Sequence, residues 1–206
     1  MNSTLSLGQQ KRPAARSAHT LTAAALLSAM AYALSFAEFP VPLSPSFAKM
    51  DLSDFPALIG AFAFGPLLGV VIELVKNALQ LLSTSTGGVG ELANFIMGAC
   101  YTAAAGLIYK RKKTKKTAVL ALAAASAVMG IAAAVSNYFL LLPLFESFMP
   151  LDAVISSFGD FIPFIHTKLD VVLFNVLPFN ILKGLAVGGF TIPIYKLLKP
   201  ILKGVY

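Results

Sequence analysis

The chain has no tryptophan, one cysteine and two histidines, and only 12% of its residues are charged. Each scarcity closes a route. Cys100 has no partner for an internal disulfide, and with only His19 and His166 to help it a Cys/His metal cluster lacks ligands. It lies in an apolar run, where a thiol packs as a small hydrophobe. The same shortage nearly excludes histidine-based catalysis, and neither H-E-x-x-H nor G-x-S-x-G occurs. The glycine-rich stretch at 87–90 is not followed by the Gly-Lys-Ser/Thr of a phosphate loop, so ATP hydrolysis by that route is excluded. There is no internal repeat. The expectation is a non-enzyme with no catalytic residue and no metal.

Apolar residues are what the chain does have. They make up 57% of it, with a mean hydropathy of +0.79. A soluble domain has about 45–50% apolar and about 25% charged residues. Six apolar runs follow one another. They begin with "LTAAALLSAMAYALSFA", continue through "FPALIGAFAFG", "LLGVVIELVKNALQLLS", "LANFIMGACYTAAAGLIY" and "AVLALAAASAVMGIAAAVSNYFLLLPLF", and end at residues 171–195. Each is read as a membrane crossing, giving an all-α membrane protein with six transmembrane helices in a compact bundle. Residues 1–20 form a polar tail, 21–200 the bundle and 201–206 a second tail. Within the bundle, 38–54 is an outer loop, 110–117 a basic loop and 146–170 an outer connector. Pro40, Pro42 and Pro45 rule out a regular helix in the outer loop. A basic stretch before a short apolar run also resembles a cleavable signal peptide. Since the rest of the chain is membrane-embedded, an uncleaved first helix is the simpler reading.

The net charge of +7 is unevenly placed. Lys11, Arg12 and Arg16, the cluster "KRKKTKK" at 110–116, and Lys196, Lys199 and Lys203 all fall on one side if the six runs alternate. The other side holds Glu38, Asp51, Asp54, Glu91, Glu146, Asp152, Asp160 and Asp170, with Lys49 and Lys168 as its bases. Positive charge marks the cytoplasmic side, so both termini are expected there. The basic cluster is read as a solvated anchor of topology, with binding of lipid headgroups as the other reading. Nucleic acid is not an expected partner.

Polar residues inside apolar runs carry the functional signal, because a lysine at mid-membrane costs about 2.5–3.5 kcal/mol on insertion scales. Glu73 and Lys76 are three apart and can pair on one helix face, next to Asn77, and a self-neutralised pair stabilising the bundle and a role in substrate binding or gating are both open readings. Ser136-Asn137-Tyr138 lies toward the outer end of the fifth run, where an interhelical hydrogen bond and a ligand contact are both open readings. Asn180 and Lys183 share a face just after Pro178, whose missing N–H frees a carbonyl. Lys183 is about 13 residues, roughly 20 Å, from Asp170, too deep to reach the outer interface comfortably. A lysine with amides and no metal ligands suits a neutral, oxygen-rich ligand or one with carbonyls, with a buried structural polar group as the other reading, and Gly184, Gly188 and Gly189 let other helices approach closely. Phe39, Phe47, Met50 and Leu52 of the outer loop suit a flat apolar ring system. In the first run, Ala25, Ala29 and Ala33 recur every fourth residue, a spacing that lets another helix, of this chain or of a partner, pack closely in lipid.

The segments "KMDLSDFPALIGAFAFGPLLGVVIELVKN", "GELANF" and "SNYF…PFNILKG" resemble the riboflavin-specific S component of energy-coupling-factor vitamin transporters. The likeness runs from about residue 20 to 200. It implies a six-helix protein of the bacterial cell membrane that captures one vitamin from outside. It also implies a shared module of one coupling transmembrane subunit and two ATPase subunits as partners. It implies that Asn137, Asn180 and Lys183 bind the flavin, that residues 38–54 cover the pocket, and that the Ala25/Ala29/Ala33 face docks to the coupling subunit. Phe47 and Met50 are then expected over the ring, with Glu91 and Asn94 as pocket-rim candidates. Riboflavin would be the transported ligand, and no cofactor is expected. An S component for another vitamin, a stand-alone secondary transporter and an intramembrane enzyme remain open alternatives.

Overall fold

The structure is a computed structural model that describes residues 13–40, 49–148 and 150–203. The first helix, α1 (Pro13–Ser35), precedes a two-residue antiparallel pairing of β1 (Phe39–Pro40) with β2 (Lys49–Met50). Then come α2 (Asp54–Phe64), α3 (Pro66–Gln80), α4 (Val89–Arg111) and α5 (Lys115–Ser136). Three short helices, α6 (Leu142–Glu146), α7 (Leu151–Gly159) and α8 (Lys168–Val171), lead into the long α9 (Leu177–Lys203).

Among the described residues, five continuous helical stretches are long and apolar enough to cross a membrane: Ala18–Ser35, Pro66–Ser83, Val89–Arg111, Lys115–Glu146 and Lys168–Leu197. The second of the six crossings expected from the sequence is different. It is the 11-residue α2, which at 1.5 Å per residue is about 16 Å long, against a hydrocarbon core of about 30 Å. Its boundaries have local causes. Gly65 takes φ +112° and Pro66 starts the next helix, which turns the chain sharply. All residues from Asp54 to Phe62 are buried, so α2 is an inner helix packed among α1, α3, α4 and α9. A helix enclosed by others does not need the length that lipid imposes.

The main core joins Leu27, Leu58, Ile59, Ile72, Tyr101, Met129 and Val187. Small residues set its spacing. A Cβ on Gly184 would lie 2.7 Å from Ser126 Oγ, and one on Gly130 would lie 2.5 Å from Ile181 Cγ1, so α5 and α9 meet closely at both levels. Gly188 faces Tyr101 and Leu122, whereas Gly189 faces open space. Gly184→Val is expected to destabilise the bundle by about 1–3 kcal/mol through overpacking, read as a lower thermal midpoint in detergent. A second cluster of Leu142, Val154, Phe158, Ile165, Val171 and Val172 packs α7 over the end of the bundle. On α1, Ala24, Leu27, Ser28, Ala31 and Ser35 form the buried stripe. Ala25, Ala29 and Ala33 are exposed on the opposite side.

Candidate functional site

Two helices break their regular winding in the same way. Residues Asn137–Leu141 and Val172–Val176 are π-helical. Each five-residue segment ends two residues before a proline, Pro143 or Pro178. A proline in a helix lacks the N–H that would bond the carbonyl four residues back. Phe139 and Phe174 therefore lose those partners, and a widened turn is one way the backbone adjusts. Single π turns of this kind occur often at functional sites.

The two widened turns touch each other and flank a cavity of about 330 Å³. Asn137, Leu142, Val171 and Val176 line it from these helices. Phe145, Phe148, Val154 and Phe158 close its apolar side, and Ser85, Thr86 and Gly87 of the α3–α4 loop supply the rest. Gly87 takes φ +62°, and a Cβ there would come within 3.2 Å of the Phe148 ring, so this turn admits the ring only because it is glycine. The loop is held by Glu91, whose carboxylate accepts from the Thr84 and Thr86 hydroxyls at 2.9 and 3.1 Å.

Asn137 donates its amide to the Ala133 carbonyl (2.9 Å), and Asn180 does the same to Val176 (2.8 Å). Each side chain thus spends a donor on its own helix and keeps its amide oxygen as an acceptor. Val176, Asn180 and Lys183 are spaced four and three residues apart, on one helix face. That face leads from the cavity wall into the bundle, where Asn180 and Lys183 are buried.

At the inner end of that face lies a charged cluster. Asp51, Asp54, Glu73, Lys76 and Lys183 are all buried. Lys76 is saturated: its ammonium meets Glu73 Oε2 at 2.6 Å, Asp54 Oδ1 at 2.7 Å and Ser53 Oγ at 3.0 Å. Three protons have three acceptors. Lys183 is held differently. Its Nζ lies 3.5 Å from Asp54 Oδ2 and 3.7 Å from Asp51 Oδ2, beyond the roughly 2.7–2.9 Å of a charge-assisted hydrogen bond. Among the described residues its donor protons are uncommitted. Asp51 is fixed in place because its Oδ1 accepts from the Ser53 N–H at 2.7 Å, and Asp54 bridges the two lysines. Tyr101 donates its hydroxyl to the Gly184 carbonyl, which anchors the turn beside Lys183.

The expected site residues are therefore only partly gathered. Asn137 lines the cavity, and Asn180 and Lys183 lie deeper on the face that Val176 begins. Glu91 supports the rim through Thr86. Met50 and Asn94 are half-buried and outside the cavity lining, and Asn94 makes no side-chain hydrogen bond among the described residues. Phe47 lies outside the described residues. Glu73 and Lys76 pair as their spacing suggests, but Asp51 and Asp54, placed by the sequence reading among outer-loop acids, are buried partners of the lysines. The phenylalanines of α6, α7 and the connecting turn, and Ser85 and Thr86, carry no sequence signal of a site. Pro143, standing after Asn137 much as Pro178 stands after Val172, is the feature that points to the paired widened turns.

A bundle of long apolar helices, with a pocket between two widened turns and a buried lysine further along the same helix face, describes a multi-pass membrane protein with room for a small molecule. Comparison with known proteins specifies its kind: the family described as "ECF transporter, substrate-specific component" matches residues 19–195, and the chain belongs to that family. It is 36% identical over 179 residues to "Riboflavin transporter RibU" of Staphylococcus aureus, covering 86% of this chain and 89% of the relative. It is 32% identical over 183 residues to "Riboflavin transporter FmnP" of Bacillus subtilis, covering 87% and 92%. A solved structure described as the S component of a bacterial ECF transporter superposes with a TM-score of 0.72 at 35% identity, covering 91% of this chain and 99% of that one. These relatives are transporter components rather than enzymes, and the chain is a multi-pass protein of the bacterial plasma membrane.

Proposed function

We propose that this chain captures riboflavin from outside the cell and delivers it inward through a shared module of one coupling membrane subunit and two ATPases. Lys183 carries the reading: it is a buried ammonium with uncommitted donors, at the end of a face that starts in an aromatic cavity. The phenylalanines suit a flat ring, the amide oxygens of Asn137 and Asn180 accept from hydroxyls or ring N–H, and Lys183 donates to a carbonyl. The named ligand of the similar proteins supports the same choice. Both termini lie in the cytoplasm, and α2 is the sixth, enclosed helix of the bundle. Riboflavin is cargo, and the energy for its uptake comes from the partner ATPases. The test is to purify the protein and analyse what accompanies it. A yellow preparation with flavin absorbance, and riboflavin unchanged by mass spectrometry, is expected. A different vitamin, or ion-driven uptake in vesicles lacking the ATPase module, would replace this reading.

The exposed alanine face of α1 is the surface for the coupling subunit. Ala29→Trp is expected to leave riboflavin binding by the isolated protein unchanged. It should abolish ATP-driven uptake by the assembled transporter, measured with labelled riboflavin in vesicles.

A further inference from the structure

A second cavity, of about 230 Å³, lies at the end of the bundle away from the first and takes no part in the function proposed above. Its walls come from the α2–α3 turn, with Phe64, Gly65, Pro66 and Leu67, and from Tyr109, Lys110 and Lys113 at the end of α4 and just beyond. The packing fixes it in place. A Cβ on Gly106 would lie 2.8 Å from Pro66 Cα, so α4 and the turn are in backbone contact. One turn further along the same face of α4 stands Lys110. Tyr109 packs against Phe62 with ring centroids 4.4 Å apart and planes tilted by 33°, and Tyr195 donates its hydroxyl to the Phe62 carbonyl at 3.2 Å, which holds the inner wall.

The charge there has one sign. Lys110 and Lys113 are exposed and pair with no carboxylate among the described residues. From Leu92 to Phe145 the chain carries no acid at all. Two ammonium groups on one cavity call for an anion. The rim adds a second demand: Leu67 is 76% exposed at the start of the membrane-spanning α3. A water occupies about 30 Å³ in the liquid, so the cavity has roughly the volume of eight waters, which suits a small charged headgroup.

We propose that this cavity binds the headgroup of an anionic glycerophospholipid, its phosphodiester between Lys110 and Lys113 and its acyl chains along Leu67. Solvated topological anchors need charge but no cavity, and only part of the basic cluster faces this one. Lysines near an anionic leaflet are attracted to it without any site, so the test must separate a site from that diffuse attraction. The full chain is purified, and thermal unfolding is followed in micelles doped with phosphatidylglycerol or with phosphatidylcholine, alongside inorganic phosphate. Two charge-matched variants are compared, Lys110→Gln/Lys113→Gln and Lys115→Gln/Lys116→Gln. The expected result is a phosphatidylglycerol-specific rise in midpoint that is mostly lost in the first variant, kept in the second, and not reproduced by phosphate. Equal loss in both variants, an equal effect of free phosphate, or no rise at all would overturn the proposal. If the first variant unfolds early in phosphatidylcholine alone, native mass spectrometry of retained phosphatidylglycerol decides by the same comparison.

Discussion

Lys76→Met is expected to destabilise the folded bundle by about 3–5 kcal/mol, the usual consequence of removing one partner from a buried charge network. The substitution leaves Asp54 Oδ1, Glu73 Oε2 and Ser53 Oγ without their shared donor. Glu73 and Lys76 are each fully buried, so water cannot take over. The effect should appear as low yield and a thermal midpoint well below that of the unaltered protein. Adding Glu73→Gln, which removes a stranded carboxylate, should recover part of the loss. A midpoint unchanged in Lys76→Met would show that the cluster does not hold α2 against α3.

Lys183→Met should behave in the opposite way. The ammonium makes no close hydrogen bond to Asp51 or Asp54, so its removal strands no strong bond, although it takes a compensating charge from two carboxylates. The expected effect on stability is smaller than that of Lys76→Met. The expected effect on riboflavin affinity is larger. Loss of a hydrogen bond from a charged donor is worth about 1.5–3 kcal/mol, which is roughly 10–150-fold in the dissociation constant. Quenching of flavin fluorescence on titration reads this directly. The contrast between the lysines is the physical content of the pair: one ammonium is consumed by the fold, and the proposed function gives the other to a ligand.

Much of this was legible in the sequence. Long apolar runs announce α1, α3, α4, α5 and α9, because lipid demands both length and apolarity. The buried pairing of Glu73 with Lys76 follows from their spacing. What escaped was context. "FPALIGAFAFG" has the composition of a membrane crossing, but its length suits only an enclosed helix, and apolarity does not tell lipid from protein interior. Asp51 and Asp54 read as loop acids because they border prolines and the outer loop. A charge inventory would have pointed to them: two lysines inside apolar runs need more carboxylate than Glu73 supplies. The cavity itself was hardest to see, since Phe145 is the last residue of the fifth run while Phe148 and Phe158 come from the connector that follows it. They are brought together only when α7 folds back over the bundle.

The most direct measurement is a crystal structure of the riboflavin-bound protein. The ring should rest among Phe145, Phe148 and Phe158, with a ligand oxygen about 2.7–3.2 Å from Lys183 Nζ and Asn137 and Asn180 in contact with the flavin. A flavin held wholly elsewhere, with Lys183 still facing only Asp51 and Asp54, would contradict the role assigned to that lysine.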